Sequence, residues 1–232
     1  MSDYVFAPPA VVAIPVACSS DKFPVRRVFC VGRNYAEHAK EMGFTGREDP
    51  FFFSKPADAL VVVPDGIQGE IHYPPKTSNL HYEMELVVAL GSGGKDITVE
   101  QADSCIFGYA LGLDMTRRDL QGEAKKQGRP WEVGKAFDES GPIGPIHPVA
   151  KTGILNSGAI ALEVNGTVKQ NSDLDQLIWS IPESIAYLSG LFELKAGDLI
   201  FTGTPEGVGA VVAGDKMMGR FAGLGELKVS VI

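Results

Sequence analysis

Residues 81–88 read His81-Tyr82-Glu83-Met84-Glu85-Leu86-Val87-Val88. In a strand, successive side chains point to opposite faces. Tyr82, Met84, Leu86 and Val88 then share one apolar face, and His81, Glu83, Glu85 and Val87 share the other. Two carboxylates on one face of so hydrophobic a strand repel each other unless a cation lies between them. Oxygen donors of this kind suit Mg2+, Mn2+ or Ca2+. Read alone, the spacing also fits a solvated strand face, the commoner setting for glutamates.

Similar β-type runs lie on either side: VRRVFCVG at 25–32, ALVVVP at 59–64, IFGYALGLDM at 106–115, AIALEVNG at 159–166, DLIFTG at 198–203 and ELKVSVI at 226–232. Gly- and Pro-containing turns separate them, which predicts a mostly β protein. Asn165-Gly166 between LEV and TVKQ predicts a tight hairpin. A few helices punctuate the strands, making the class α+β. Asn34 caps a short helix running to about Met42 and stopped by Gly43. Thr98 to Gln101 has capping-box spacing for a helix through Ala102 and Cys105. Arg118 to Gln127 reads as a polar helix ended by Gly128. Pro182 suits the first turn of a helix that carries Ile185 and Leu188 and stops at Gly190.

The chain of 232 residues is 44% hydrophobic, enough to bury a sizeable core, and no linker or repeat divides it. A single domain over 1–232 is the expectation. The net charge of −8 repels polyanions, which argues against nucleic acid as a partner. Arg117, Arg118, Lys125 and Lys126 form a basic cluster sized for a small anion. Cys18, Cys30 and Cys105 are odd in number and lack CxxC spacing, so a reducing, cytoplasmic setting is expected. The first 20 residues carry Asp3 and three prolines, which reads as an ordinary segment and not a targeting sequence. No run approaches the roughly eighteen apolar residues of a membrane span.

Asp114 follows the apolar run Ile106–Leu113. There it is either a helix cap or a ligand, and with Glu83 and Glu85 it would complete a three-carboxylate site. His38 and Glu41 are three apart, on one face of the predicted helix, where a carboxylate raises the basicity of an imidazole. The pair fits a surface contact or water activation. Nearby Gly43 and Gly46 would let that helix move as a lid. Lys135, among apolar and small residues, is either aimed at an anion or a snorkelling surface lysine. Gly203-Thr204-Pro205 is a turn whose hydroxyl and amides could grip a carboxylate. Serine-triad, nucleotide-loop and zinc-protease motifs are absent.

Taken in order, G-R-N-Y-x-x-H-x-x-E at 32–41, S-K-P at 54–56, H-Y-E-x-E-L at 81–86, G-x-D-x-T at 112–116, R-D-x-Q at 118–121, W-x-x-G-K-x-F-D at 131–138 and F-T-G-T-P-x-G-V-G at 201–209 resemble the fumarylacetoacetate hydrolase family. The motifs run from about residue 26 to the C-terminus, and residues 1–25 carry none. The resemblance implies a mixed β-sandwich roll, usually a homodimer. It implies Mg2+ or Mn2+ held by Glu83, Glu85 and Asp114, and a water-activating pair of His38 and Glu41. It places Lys135, Arg118, Gln121 and Thr204 at the keto-acid end of a small substrate, with Arg33, Tyr35 and Lys55 also at motif positions.

Within the family, the stretch 119–131 looks most like acylpyruvate hydrolases, and among these the ones that cleave fumarylpyruvate to fumarate and pyruvate in aromatic catabolism. The expected reaction is hydrolysis of a carbon–carbon bond in a 2,4-dioxo acid. Oxaloacetate decarboxylation and isomerisation or decarboxylation of 2-hydroxyhepta-2,4-diene-1,7-dioate are the alternatives inside the family. A non-catalytic metal-binding protein is the alternative outside it.

Overall fold

The computed structural model describes residues 4–37 and 47–232. His38, Glu41 and most of the helix expected over 35–42 lie outside the described residues.

The expected strands form. The largest sheet has eight strands in the order Phe51–Lys55, Arg27–Gly32, Asp198–Phe201, Met84–Leu90, Ile106–Leu113, Gly141–Ile143 and Leu60–Val62, with His147–Pro148 also paired to Ile106–Leu113. It is mixed: Asp198–Phe201 runs parallel to Arg27–Gly32 and antiparallel to Met84–Leu90. A second sheet of five strands orders Thr167–Asp173, Ala159–Val164, Lys216–Phe221, Gly225–Val231 and Gln68–Ile71. The result is the mixed β-sandwich roll expected, mostly strand with short helices.

Alternation explains the packing. Met84, Leu86, Val88 and Leu90 enter the core shared with Ile160, Leu162 and Leu227 of the second sheet, while Val87 and Ala89 enter a smaller core on the opposite face. Phe29 and Val31 likewise face the first core, and Val28 and Cys30 the second. Strands covered on both faces read as continuous apolar runs, which is why the sequence around 106–113 shows no polar alternation. The N-terminal segment has a structural role here. Ala13–Pro15 pairs with Lys22–Pro24, and Ile14, Val16, Phe23 and Val25 help fill the smaller core.

The stretch 81–88 departs from a single strand. Leu80–Tyr82 belongs to a three-stranded sheet with Thr116–Arg117 and Gly209–Val211, whereas Met84–Leu90 belongs to the large sheet. Glu83 is the junction. The predicted faces survive the junction, since Tyr82 and Met84 enter the same core.

The hairpin at Asn165-Gly166 forms, both residues having positive φ (51° and 75°) as a primed turn requires. The capping box at Thr98–Gln101 forms too, heading Val99–Ala102, and Pro182 sits in the first turn of Ile181–Leu191, where Ser180 and Glu183 add a capping box that the sequence reading did not include. The second helix continues one residue past Gly190, so Gly190 is not its stop; Phe192 turns the chain to extended backbone. Among the described residues no helix is long and apolar enough to cross a membrane, and all three cysteines are free.

Asp198 locks the start of its strand to the neighbouring one. It is fully buried and accepts from Arg26 Nη1 (3.0 Å), Arg27 Nε (3.1 Å), Arg27 Nη2 (2.8 Å) and the Lys195 amide (2.9 Å). Asp198→Ala should cost about 2 kcal/mol of stability, because charge-assisted bonds are lost but the half-exposed arginines regain water. The denaturation midpoint in urea measures it.

Candidate metal centre

Strand ends meet at one side of the large sheet. Glu83 immediately precedes Met84–Leu90, and Asp114 immediately follows Ile106–Leu113, whose Leu113 pairs with Met84. The Asp114 amide donates to Glu83 O at 2.8 Å. Antiparallel pairing thus makes neighbours of two acids 31 positions apart in the chain. Glu85, two residues into the strand from Glu83, completes the set. One carboxylate oxygen from each of the three lies within 4.8 Å of the others, and all three residues are buried.

Cations surround this cluster. Lys135, buried, donates from Nζ to Glu83 Oε2 and Asp114 Oδ2, both at 2.7 Å. Burial opposes its charge, but the Asp114 and Glu83 carboxylates together outweigh it and hold the ammonium above its ordinary pKa. Lys55 Nζ pairs with Asp114 Oδ1 at 2.8 Å and donates to Lys135 O. Arg118 Nη2 donates to Glu83 Oε1 at 2.5 Å, and its Nη1 to Gln121 Oε1 at 2.8 Å. Arg118 and Gln121 sit three apart on the helix Arg118–Lys126, so they share a face.

The short helix Glu132–Lys135 places Lys135, and Gly134 permits its approach. A Cβ on Gly134 would come within 2.9 Å of the Gln121 backbone nitrogen. The W-x-x-G-K spacing is therefore a packing requirement: glycine for the contact, lysine one residue later for the charge. Gly203 is required twice over. Its φ is +102°, and a Cβ there would meet Asn34 Cβ at 2.7 Å. Its amide donates to Glu85 Oε2 at 2.8 Å.

Among the described residues, Glu85 has that amide as its one hydrogen-bond donor. Burial, then the charges of Asp114 and Glu83, push its carboxyl well above the ordinary value, against Lys135 and the Gly203 amide. Among the described residues, Asp114 Oδ1 has the Lys55 ammonium at 2.8 Å but no well-aligned hydrogen bond. Buried, closely spaced and under-supplied oxygens fit a hard divalent cation. The donors are all oxygen, which favours Mg2+ or Mn2+ over a thiophilic metal. Lys55, Lys135 and Arg118 balance the three carboxylates, so a divalent ion would leave these side chains at +2, matched to a dianion.

A narrow cleft opens over the cluster, with Arg33, Phe53, Gln121, Trp131 and Thr204 on its wall beside the three acids. Arg33, left-handed at φ 54°, lays its guanidinium 4.6 Å from the centroid of the Phe51 ring. Trp131 stands edge-on to Phe51 at 5.1 Å. The Thr204 hydroxyl donates to Met84 O at 2.9 Å, so what it turns to a ligand is not that proton. Lys55 reaches the cluster from behind the wall. Tyr35 lies in the larger core, its hydroxyl without a hydrogen bond among the described residues. The basic cluster divides: Arg118 faces the cleft, Arg117 stacks 4.4 Å over Phe137, and Lys125 and Lys126 are exposed.

Three supporting residues escaped the sequence reading. Asn34, which the sequence offers as a helix cap, reaches across the fold. It donates to Trp179 O and Thr202 O, both at 2.9 Å, and accepts from the Trp179 amide at 2.8 Å. Gln170 ties Met84 to the Thr204 turn. His81 buttresses Arg118. Arg118 Nε donates to His81 Nδ1 at 3.4 Å, so that nitrogen is bare, and Nε2 carries the proton to Asn79 Oδ1 at 2.9 Å. Asn34 and His81 fall inside the quoted motifs, whereas Gln170, between Lys169 and Asn171, carries no local signal.

Residues 27–232 match the family model for the fumarylacetoacetate (FAA) hydrolase C-terminal region. A fumarylpyruvate hydrolase of a Ralstonia species is 52% identical over 184 residues, 79% of this chain and 93% of that protein. The crystal structure of fumarylpyruvate hydrolase from Pseudomonas aeruginosa in complex with Mn2+ and pyruvate is 58% identical and superposes with a TM-score of 0.98, covering 99% of each chain. An oxaloacetate tautomerase of Escherichia coli (strain K12) is 42% identical over 202 residues, 87% of this chain and 90% of that protein.

Two measurements test the centre. Glu85→Ala should abolish or greatly weaken Mg2+ binding in a calorimetric titration; wild-type affinity would remove Glu85 from the ligand set. Burial, then Arg118, hold His81 at about 4 against the pull of Glu83. Its imidazole should therefore stay neutral by NMR down to about pH 4. The unfolded chain takes up that proton near the ordinary value of about 6.5, so this group makes stability fall as pH drops from there towards 4.

Proposed function

The chain belongs to the fumarylacetoacetate hydrolase family, and from that premise we propose that it hydrolyses an acylpyruvate, fumarylpyruvate, to fumarate and pyruvate. The observation that carries this reading is the 58% identity, over 99% of both chains, to a fumarylpyruvate hydrolase crystallised with Mn2+ and pyruvate. The acidic cluster and its three cations supply the chemistry such a substrate needs.

Mg2+ or Mn2+, held by Glu83, Glu85 and Asp114, would supply Lewis-acid and template chemistry for the carboxylate and 2-oxo group of the keto acid. Arg118 and Gln121 orient that end of the substrate from the cleft wall. His38, assisted by Glu41, takes a proton from water, whose oxygen adds to the C4 carbonyl. The tetrahedral adduct collapses, the C3–C4 bond breaks, and its electron pair leaves as pyruvate enolate. Lys135, held protonated by its neighbours, stabilises the enolate oxygen. The imidazolium of His38 returns the proton to C3. Phe53 and Trp131 border the cleft and shield the flat enedioate from water.

The family resemblance extends the proposal to one catalytic domain over residues 1–232, a homodimer and a cytoplasmic enzyme of aromatic catabolism. The similarity to an oxaloacetate tautomerase favours a second reading, in which oxaloacetate chemistry proceeds at the same site without an attacking water.

A panel of acylpyruvates and oxaloacetate, assayed with Mg2+ or Mn2+, separates the readings. Fumarylpyruvate should be cleaved fastest, with fumarate and pyruvate in equal amounts. His38→Ala should lower that turnover by about 100-fold or more, the scale of a lost general base, while leaving metal binding intact. Oxaloacetate turnover that survives His38→Ala and exceeds fumarylpyruvate turnover would favour the second reading. Metal binding with no turnover of any dioxo acid would mean a non-catalytic protein.

A further inference from the structure

The strand Met84–Leu90 loses one neighbour before it ends. On the side of Asp198–Phe201 the last paired residues are Phe201 and Val87. Among the described residues, 84–86 therefore have no strand partner on that edge, yet they include Glu85 and adjoin Glu83. The missing ladder is replaced by other bonds. Both the Thr202 amide (3.1 Å) and its hydroxyl (2.8 Å) donate to Leu86 O. The Gly203 amide donates to Glu85 Oε2, and the Thr204 hydroxyl to Met84 O.

One residue joins this set from the other sheet. Gln170 lies on Thr167–Asp173, at the edge of the five-stranded sheet, and is fully buried. Its Oε1 accepts from the Met84 amide at 3.0 Å. Its Nε2 donates to Thr204 Oγ1 at 2.9 Å and to Pro205 O at 2.8 Å. Both backbone polar groups of Met84 are thereby held: the N–H by Gln170 directly, the C=O by the hydroxyl that Gln170 itself orients. Since the Thr204 proton goes to Met84 O, its oxygen is free to accept the Gln170 amide, and the three residues close a ring of bonds.

We propose that Gln170 is a positioning residue that sets the distance between the Glu83–Glu85 segment and the Gly203–Pro205 turn, and through it the divalent-metal affinity of the site. The proposal rests on the metal site proposed above and not on the identity of the substrate. A side chain that only filled the core would need no amide there. A buried amide with three well-formed bonds, all to this junction, does fix its geometry.

The experiment measures the Mn2+ dissociation constant by calorimetry, with melting temperature alongside. Gln170→Met keeps the volume and removes the bonds, and should weaken Mn2+ binding at least tenfold. Ile14→Ala, which empties space in the smaller core on the opposite face of the large sheet, should lower the melting temperature and leave Mn2+ affinity unchanged. Thr204→Val should weaken binding too, and the Gln170→Met/Thr204→Val double variant should be no weaker than the worse single variant, because the bonds act as one unit. If Gln170→Met is insoluble, Gln170→Asn, which withdraws the amide by one methylene, is expected to weaken binding in the same direction. Wild-type Mn2+ affinity in the soluble Gln170 variant, or additive losses in the double variant, overturns the positioning role alone. Failure of the wild-type protein to bind Mn2+ overturns the metal site and this inference together.

Discussion

Three buried carboxylates whose oxygens lie within 4.8 Å of one another repel, and the site is organised around that repulsion. In a medium of low polarity it is not screened as it would be in water. Lys135 answers it for two of the acids, standing 2.7 Å from both Glu83 and Asp114. Lys55 and Arg118 answer on the outer sides. Among the described residues Glu85 is left with the Gly203 amide, and burial, then the charges of Asp114 and Glu83, push its carboxyl upward. The centre is thus balanced in total charge but uneven within, with its least neutralised acid where a cation is wanted.

The sheet makes this arrangement possible by ending. Within a regular ladder every backbone group is paired and side chains point only to the two cores. At the strand ends the backbone needs other partners, and the loops that supply them carry functional groups. Gly203 and Thr204 follow one strand, Arg33 another, Asp114 a third. The glycines at 134 and 203 are needed because helices and turns must come closer there than a Cβ allows. Polar site groups on loops and stability in the strands beneath them are two sides of one construction.

Much of this was legible locally. The faces of 81–88 held through the junction at Glu83, because alternation is a property of extended backbone whichever sheet receives it. Asp114 stood out as a lone acid closing an apolar run. The hairpin at Asn165-Gly166 and the capping box at Thr98–Gln101 need only residues close in sequence. The break at Glu83 was not legible, since nothing in the stretch says that its two halves pair with different partners. Nor were the tasks of Asn34 and Gln170. Asn34 bonds to a residue 145 positions away, and Gln170 to one 86 away. A helix-cap reading of Asn34 was the natural local choice, and it carries no trace of the distant backbone groups that the side chain also holds.

The sequence by itself determined the β class, the buried faces, the acidic residues and the basic ones that accompany them. These follow from periodicity, polarity and turn chemistry, which act over a few residues. Only the tertiary structure decided that Lys135 lies between Glu83 and Asp114, that His81 is a neutral acceptor for Arg118, and that Glu85 is under-supplied. Hydrogen bonds and charge interactions are won or lost within an ångström or so. Separations that fine are set by how strands from distant parts of the chain pair and where their ladders stop.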